Sequence, residues 1–370
     1  MSMPVSLKLL RPVLSELSGV PQDPLYHGEG DVLAHTRLVM EELEKLPDFL
    51  ALSWEEREIM RAAAALHDLG KKTCTRIEEG RLVSPGHAGA GAGMARRILW
   101  RNFGLCGTPE KQKLRETVCA LIRCHSLPPY AIENESGKLR LIRAAADGEL
   151  IPAFTVRLLC TLSEADALGR VCNDKADMLE RIALCAELAK ESGCYDAPYP
   201  FPTEYTAYAF LSGKKINPAY PLYDDTWGEV ILLSGLPGTG KDTWIENHCS
   251  DLPMISLDGI RRELNIPPAR NQGRVADAAR ERAKKLLRER RSFVWNATNI
   301  LPMTRKQQVD LFTAYGASVR LVYLETEWDE LLRRNAARAD AVPETAVIHM
   351  LDKMTPPARC EAHRVEWHCV

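Results

Sequence analysis

The sequence predicts two domains of different class: an all-α domain followed by an α/β domain with a mainly parallel sheet. The chain has 370 residues, which exceeds the usual size of one domain. Residues from about 30 to 195 carry apolar side chains at helical spacing, with almost no strand-like alternation. After Gly228 short apolar runs alternate with helical segments, which is typical of a parallel sheet.

The spacing of the apolar residues and the density of proline predict where each domain begins and ends. We expect the all-α domain over 1–195, a connector over 196–227 and the α/β domain over 228–370. The expected helices of the first domain cover 32–46, 55–69, 87–103, 111–123 and 153–168. The connector is dense in Pro and Tyr, which disfavours helix and central strand, and it can pack through its aromatic rings. The expected strands of the last domain lie in EVILLSG, MISLD, SFVWNATN and SVRLVYLE.

Composition narrows the class of protein. The apolar fraction of 45% and the charged fraction of 26% are ordinary for a soluble globular protein. No apolar run approaches the roughly 20 residues that a membrane helix needs, and the first residues lack the pattern of a signal peptide. The 11 cysteines include no CxxC pair. We therefore expect reduced thiols, a cytoplasmic location and no membrane partner.

Charge is nearly balanced overall, with one local exception. The net charge is −2, but residues 261–291 contain eleven Lys and Arg against four Asp and Glu. Such a stretch forms either a solvated helix face or a surface for a nucleic-acid backbone, and composition alone leaves both open.

A glycine-rich turn follows the first apolar run of the α/β domain and opens a helix. This is the context of a phosphate-binding loop, in which backbone N–H groups and the helix dipole meet a β-phosphate and the lysine reaches the β and γ oxygens. We expect it to bind an NTP, either ATP or GTP, with Mg²⁺ through Gly235, Gly238, Thr239, Gly240, Lys241, Asp242 and Thr243. The position after the lysine normally supplies a Ser or Thr hydroxyl to Mg²⁺. Here Asp242 stands there with Thr243 next, and either oxygen can serve the ion.

Two further segments of the α/β domain carry charged side chains. We expect the MISLD strand to end at Asp258, where the carboxylate can accept a proton from an acceptor hydroxyl while Arg261 binds an acceptor phosphate. The alternative is a helix N-cap Asp beside a surface Arg. Arg334 and Arg338 are four apart on one predicted helix, before an expected lid loop. They form either a clamp for the transferring phosphoryl group or an exposed basic face.

Together these segments resemble the 5′-OH polynucleotide kinases of the phage and bacterial end-healing type, over residues 229–357. The resemblance rests on GLPGTGKDTW, on Asp258-x-x-Arg261, on the TN of residues 298–299, and on RNxxR followed by AVP. It implies that Lys241 contacts the donor phosphates, that Asp258 is the general base and that Arg261 holds the acceptor phosphate. It also implies that Arg338, with Arg334, engages the donor. Some relatives carry Asp before the TN, where this chain has Ala297.

The first domain contains His and Asp residues of metal-ligand type on separate predicted helices. They are His35, His67, Asp68, His87, His125 and Asp166. Neighbouring side chains on a helix diverge by about 100°, so adjacent His67 and Asp68 can serve two metals, with Asp68 as the bridge. Such a ligand set suits Mn, Fe, Co, Ni or Zn ions, and two ions can activate a water and clamp a phosphate.

These residues resemble the HD phosphohydrolase superfamily, and especially the HD domain of some bacterial tRNA nucleotidyltransferases. The resemblance rests on residues 21–36, on LHDLGK, on residues 80–95, and on His125 and Asp166. It implies two divalent transition metals. His35, His67, Asp68 and Asp166 would bind one, and Asp68, His87 and His125 would surround the other. Lys71 and Arg170 would bind phosphate, and His27 would support the site without being a ligand.

The order of the two domains resembles the bacterial HD-Pnk end-healing enzymes. This implies a kinase acting on 5′-OH ends of RNA or DNA and a phosphoesterase acting on 2′,3′-cyclic phosphate and 2′ or 3′ phosphate ends, with a separate ligase acting afterwards. Two alternatives stay open. One is an HD (d)NTPase or nucleotidase fused to a kinase for a small metabolite or nucleoside, and the other is a non-catalytic, NTP-gated sensor.

Overall fold

A computed structural model describes residues 7–133, 135–267 and 272–370. The contacts divide the chain into two compact units. The first unit comprises Met1–Cys106 and Glu110–Pro200, and the second comprises Gly107–Pro109 and Phe201–Val370. Among the helices of the described residues, none combines the length and the apolar character that crossing a lipid bilayer requires.

The first unit is helical, which confirms the fold class expected for this part of the chain. Its helices are α1 (Leu7–Ser15), α2 (Val32–Leu43), α3 (Pro47–Leu50), α4 (Trp54–Leu66), α5 (Lys71–Cys74), α6 (His87–Arg101), α7 (Pro109–Cys124), α8 (Glu135–Ala146), α9 (Val156–Gly169) and α10 (Lys175–Glu191). A small antiparallel hairpin, β1 (Arg76–Glu78) with β2 (Arg81–Val83), was not expected. The sequence pattern also missed α1, α8 and α10.

Helices α2, α4 and α9 pack against one another and form the centre of the first unit. Each begins at a polar residue whose side chain accepts a hydrogen bond from a backbone N–H of the first turn: Asp31 for α2, Ser53 for α4 and Thr155 for α9. Such caps satisfy donors that a helix start leaves open. The buried faces of α4 and α9 consist mostly of Ala, Leu, Ile and Val, so these helices are held mainly by apolar burial.

Two glycines allow close packing beside the histidines. A Cβ on Gly70 would lie 2.0 Å from the carbonyl oxygen of His87, so only glycine lets α5 meet the start of α6. A Cβ on Gly169 would lie 2.8 Å from the backbone nitrogen of Val39, where the end of α9 meets α2.

The second unit is an α/β domain around a five-stranded parallel sheet, as the sequence predicts. The strands are β3 (Glu229–Ser234), β4 (Met254–Ser256), β5 (Phe293–Asn296), β6 (Ser318–Glu325) and β7 (Arg364–Cys369), in the order β4-β5-β3-β6-β7. The helices are α11 (Glu204–Leu211), α12 (Lys241–His248), α13 (Leu257–Glu263), α14 (Gln272–Arg288), α15 (Pro302–Ala314), α16 (Trp328–Ala336) and α17 (Glu344–Lys353). The central strand β3 leads into the glycine-rich loop. Strand β7 was not expected, although RVEWHC alternates polar and apolar residues as a half-buried strand does.

The expected connector, 196–227, contains a helix that its proline content argued against. Helix α11 begins after Thr203, which caps it by accepting from the backbone N–H of Thr206. The prolines lie outside the helix, where they do not remove an internal hydrogen bond. The ring of Tyr208 stacks on His363 with the centroids 3.9 Å apart, so an aromatic contact fastens this segment within the second unit.

Candidate active sites

The first unit brings the predicted metal-type residues together around Asp68. His35 Nε2 lies 3.6 Å from Asp68 Oδ2, and His67 Nε2 lies 3.2 Å from the same oxygen. The other oxygen, Oδ1, lies 3.5 Å from His87 Nε2. The Nε2 atoms of His87 and His125 are 3.5 Å apart. Asp68 therefore presents one oxygen to each of two histidine pairs.

Asp166 completes the side of the site that contains His35 and His67. Its Oδ1 lies 3.0 Å from His35 Nε2 and 4.0 Å from His67 Nε2. The two clusters that share Asp68 contain His35 with His67, and His87 with His125. The residues predicted from widely separated helices thus converge in one place.

In three of the histidines, the nitrogen that points away from Asp68, Nδ1, is hydrogen-bonded to a backbone carbonyl. The Nδ1–H groups of His67, His87 and His125 donate to carbonyl oxygens at 2.7 to 2.8 Å, those of Ala64, Ser84 and Ile122. A carbonyl oxygen can only accept, so Nδ1 carries the proton and the Nε2 lone pair faces Asp68. Histidine ligands of metals are commonly oriented in this way.

The donor set fits a pair of divalent ions. Two ligand atoms that are each about 2.1 Å from one ion lie about 3.0–3.4 Å apart, which is close to most of the separations around Asp68. Within the described part of the chain, both Asp68 oxygens and His67 Nε2 are buried without a partner in hydrogen-bond geometry. Buried polar atoms are rarely left so, and bound cations would satisfy them.

The electrostatics suit cation binding as well. Burial alone would raise the pKa of Asp68, but Lys71 and His67 outweigh it and hold that pKa well below its usual value. Burial lowers the pKa of His125 to about 4, and it also lowers that of His87. Both rings are therefore neutral near pH 7, which is the form that binds metal.

The two predicted phosphate-binding cations border the same cluster. Lys71 is buried, and its Nζ lies 2.8 Å from Asp68 Oδ2 and donates to Gln22 Oε1 at 2.6 Å. Arg170 donates to Asp166 Oδ2 at 2.7 Å. Each cation thus pairs with a carboxylate of the cluster.

Sequence reasoning missed Glu29 and Gln22. Glu29 Oε1 lies 2.8 Å from the Nδ1 atoms of both His27 and His35. Both missed residues lie in the stretch quoted for the resemblance. The available signal was the position of Glu29, a carboxylate that lies between His27 and His35 in the sequence.

The glycine-rich loop of the second unit has the backbone that its sequence predicts. Gly235, Gly238 and Gly240 have φ values of 150°, 85° and 80°, which residues other than glycine rarely adopt. Lys241 Nζ donates to the carbonyl oxygens of Gly235 and Leu236 at 3.0 and 2.9 Å. Burial, with Arg338 nearby, lowers the pKa of Lys241 to about 8.

The side chains beside Lys241 differ in where they point. Asp242 Oδ1 accepts from Asn296 Nδ2 at 2.6 Å, so the amide at the end of β5 orients this carboxylate. Thr243 is exposed. Thr239 is buried, and its hydroxyl donates to the carbonyl oxygen of Leu236 within the loop. Asn296 was not expected in the site, although its position at the carboxyl end of a strand beside β3 is a signal for this crevice.

Asp258 lies in a different element from the one predicted. Strand β4 ends at Ser256, and Asp258 is in the first turn of α13. Ser256, rather than Asp258, caps this helix by accepting from the backbone N–H of Gly259. The Asp258 carboxylate accepts from Arg261, and from Arg338 at 3.3 Å. The N-cap alternative for Asp258 is therefore wrong.

The two predicted lid arginines do not share one helix. Helix α16 ends at Ala336, so Arg334 is helical and Arg338 lies in the turn beyond it. Arg334 Nε donates to Glu330 at 2.6 Å, whereas Arg338 reaches Asp258. The chain leaves the helix before Arg338 because Asn335 pairs with both backbone groups of Val342 and closes the following loop.

One cleft of about 1380 Å³ in the second unit holds these charged groups. Its lining includes Lys241, Asp242, Asp258, Arg261, Arg334 and Arg338. Thr298 lines it too, whereas Asn299 faces the sheet and donates to the carbonyl oxygen of Leu233 at 2.7 Å. The TN pair thus fixes the turn after β5 against β3.

Comparisons with known proteins agree with the two folds. Residues 32–168 match the HD domain family, and residues 230–357 match a family described as AAA domain. The chain therefore contains an HD domain followed by a P-loop domain with a parallel five-stranded sheet. An HD domain of the phosphohydrolase class is thus joined to a kinase-like P-loop domain. HD domains bind divalent metals, and P-loop kinases bind a nucleotide with Mg²⁺.

Individual relatives are distant. The chain is 24% identical to the mouse heterogeneous nuclear ribonucleoprotein U-like protein 2, over 44% of this chain and 24% of the relative. It is 30% identical to the multifunctional CCA protein of Psychromonas ingrahamii, over 46% of this chain and 38% of the relative. It is 22% identical to the L-seryl-tRNA(Sec) kinase of Methanococcus maripaludis, over 35% of this chain and 53% of the relative. The chain thus spans between about a quarter and about half of the length of these relatives.

Proposed function

We propose that this protein heals the ends of broken polynucleotides. The second unit transfers the γ-phosphate of an NTP to a 5′-OH end, and the first hydrolyses 2′,3′-cyclic phosphate and 2′ or 3′ phosphate ends. The observation that carries the proposal is the convergence of Arg261 and Arg338 on Asp258, in the cleft that also contains Lys241. A carboxylate flanked by guanidinium groups beside a phosphate loop suits a hydroxyl acceptor that also carries a phosphate.

The kinase step follows from these groups. The backbone N–H groups of the glycine-rich loop and Lys241 hold the donor phosphates. Asp258 accepts the proton of the 5′-hydroxyl as it attacks the γ-phosphorus in line, while the bond from that phosphorus to the β–γ bridging oxygen breaks and NDP leaves. Arg261 binds the phosphate that follows the first nucleoside of the acceptor. Arg338, with Arg334, neutralises charge on the transferring group, and Asp242 with Thr243 nearby serves Mg²⁺.

The phosphoesterase step uses the cluster around Asp68. His35, His67, Asp68 and Asp166 would hold one divalent ion, and Asp68, His87 and His125 a second. Two ions held by these residues would supply an activated water and neutralise phosphate oxygens. Lys71 and Arg170 orient the substrate phosphate by charge-assisted hydrogen bonds. The relatives support a nucleic-acid substrate, because their names refer to a ribonucleoprotein and to a tRNA kinase.

One assay tests both activities. The full chain is incubated with ATP or GTP, Mg²⁺ and Mn²⁺, and an oligonucleotide that has a 5′-OH and a 2′,3′-cyclic phosphate. We expect a 5′ phosphate to appear and the cyclic phosphate to disappear. Free nucleosides and dNTPs are tested in parallel, because the second candidate is a nucleotidase fused to a small-metabolite kinase. Consumption of those compounds with both oligonucleotide ends unchanged would contradict end healing and favour this second candidate.

The basic surface of α14 supports a polymeric acceptor. This helix packs against α13, which carries Asp258, and it exposes the cations Arg274, Lys285 and Arg288. Single strands are bound by such basic tracks along the phosphate backbone.

Reversal of charge on this surface tests whether the acceptor is a polymer or a mononucleotide. We expect the double variant Lys285→Glu, Arg288→Glu to raise KM for a long 5′-OH oligonucleotide. It should also lower the slope of log KM against log salt by about 1 for each lost contact. KM for a nucleoside 3′-monophosphate should not change. Lys306→Glu on α15 is the matched control. Equal effects on both acceptors, or none on either, would contradict a polymer track on α14.

A further inference from the structure

We propose that Glu29 is a positioning residue that orients both the metal-binding and the phosphate-binding side chains of the first unit. One branch runs through His35 to the ions, and the other runs through His27 to Lys71. The inference deepens the proposed phosphoesterase and rests on that function only for its kinetic consequences.

Glu29 is fixed by backbone as well as by side chains. Its side chain is 2% exposed, and its Oε2 accepts from the backbone N–H of Val171 at 2.8 Å. Gly28 donates to the carbonyl oxygen of Val171 at 2.9 Å. The segment around Glu29 is thus bound to the residue that follows Arg170, whose partner is Asp166.

The first branch orients His35. Its Nδ1 lies 2.8 Å from Glu29 Oε1, in an alignment short of ideal hydrogen-bond geometry, while its Nε2 faces Asp68 and Asp166. The other ligand histidines hold Nδ1 on a backbone carbonyl, so His35 differs in using a charged acceptor. A carboxylate behind the ring fixes the tautomer and makes Nε2 a better donor to a cation.

The second branch orients Lys71. The Nδ1–H of His27 donates to Glu29 Oε1 at 2.8 Å, which leaves His27 Nε2 as an acceptor 3.5 Å from Lys71 Nζ. Lys71 Nζ also faces Gln22 Oε1 at 2.6 Å and Asp68 Oδ2 at 2.8 Å. Gln22 Oε1 and His27 Nε2 are hydrogen-bond partners of the ammonium group, and its ion pair with Asp68 fixes a third direction. His27 therefore acts on phosphate through Lys71 and is not itself a ligand.

Metal binding without turnover tests the first branch. The full chain is freed of metal by chelation and titrated with Co²⁺ without nucleotide, and the visible absorption of bound Co²⁺ gives its Kd. We expect Glu29→Gln to raise this Kd about 10–100-fold, because the amide removes the charge behind His35. Glu16→Gln is the matched control, since Glu16 pairs with Lys72 at the surface of the same unit.

Phosphate binding tests the second branch. Inorganic phosphate is added to the Co²⁺-loaded chain, and the change in absorption gives its Kd. We expect His27→Gln to keep the Kd of Co²⁺ while raising the Kd of phosphate several-fold. Glu29→Gln should raise both. A general loss of structure would not separate the two ligands in this way.

The outcomes are distinguishable from failure of the proposed function. A folded Glu29→Gln protein that binds Co²⁺ as tightly as wild type overturns the first branch. Unchanged phosphate affinity in His27→Gln overturns the second. If Glu29→Gln loses its thermal transition, Glu29→Asp, which keeps the charge but retracts it, is judged by the same criterion. Absence of phosphoesterase activity in the wild type would end the proposed function and leave both titrations decisive.

Discussion

Asp258 lies between two guanidinium groups that come from different parts of the second unit. Arg261 is on the same short helix, whereas Arg338 comes from the turn beyond α16. The two contacts fix the direction of the carboxylate in the cleft. A general base needs this fixed direction because its oxygen must lie within hydrogen-bond reach of the acceptor hydroxyl.

The first prediction concerns this carboxylate. Asp258→Asn keeps the shape but cannot take a proton, so we expect kcat for 5′ phosphorylation to fall about 10²–10⁴-fold with KM for ATP nearly unchanged. Transfer of a labelled γ-phosphate to a 5′-OH oligonucleotide measures it. The control is Asp310→Asn on the exposed face of α15. A variant that retains wild-type kcat would remove Asp258 from the role of base.

A second residue-scale prediction concerns His363. Its Nδ1 accepts from the backbone N–H of Val319 at 3.1 Å, and burial lowers the pKa of this ring to about 4 from its usual 6.5. A lowered pKa means that the folded state disfavours the proton. The stability that the neutral ring contributes is present above pH 6.5 and is lost as the pH falls toward 4. Protonation of this ring should therefore lower the stability of the second unit by about 1.4 kcal/mol per pH unit in this window.

His363→Asn isolates this effect, because the amide oxygen still accepts from Val319 but does not titrate. We expect the variant to lose less stability than wild type between neutral and acid pH. The measurement is the midpoint of the unfolding transition that added nucleotide shifts upward, since a ligand stabilises the unit that binds it. Parallel pH curves for the two proteins would contradict the prediction.

At the scale of elements, the contact between α5 and the start of α6 places His67 and Asp68 beside His87. Gly70 lies at this contact, and its missing Cβ lets the two backbones approach. Since the carbonyl oxygen of His87 cannot move without the helix start, any side chain at position 70 must push α6 away from Asp68.

We therefore expect Gly70→Ala to lower the stability of the first unit by about 1–3 kcal/mol. It should also weaken metal binding, because the distance from Asp68 to His87 increases. Thermal unfolding and metal titration measure the two effects. Gly89→Ala is a matched control on α6, since a Cβ there meets nothing within 4 Å. Alanine should stabilise that helix by up to about 1 kcal/mol. Equal stability and equal metal affinity in the two variants would mean that the close contact at Gly70 does not set the position of α6.

At the scale of the whole molecule, the two sites lie in separate units with separate chemistry. The metal-type cluster draws its residues from the first unit, and the phosphate loop draws its residues from the second. Removal of one site should therefore leave the other intact.

The prediction is reciprocal. Asp68→Asn should abolish phosphoester hydrolysis and retain kinase activity, whereas Lys241→Ala should do the opposite. The isosteric Asn is preferred to Ala at position 68, because it leaves no cavity and its amide oxygen can still accept from Lys71. Both ends of one oligonucleotide are followed in the same reaction. Loss of both activities in a variant that still unfolds like wild type would show that the sites are coupled.

The fold class could be predicted from the sequence, because helical and strand periods are local patterns in the spacing of apolar residues. The residues of both sites could also be predicted. The adjacent pair His67-Asp68 and the glycine-rich loop are short motifs whose residue types are typical of metal and phosphate binding. The bounds of the predicted helices differ from the observed ones by only a few residues, because apolar spacing does not mark the cap. Helix α11 was not expected, because prolines lie on both sides of it and proline disfavours helix.

The partners that orient the charged side chains of the cleft could not be predicted from the sequence. Asn296 meets Asp242 across 54 residues of sequence, and Arg338 meets Asp258 across 80. Asp258 lies in α13 and not at a strand end, and Arg334 donates to Glu330, whereas the sequence placed Arg334 with Arg338 on the donor. Such pairings depend on how the elements pack in three dimensions, because a hydrogen bond needs atoms within about 3 Å and sequence spacing does not fix that distance.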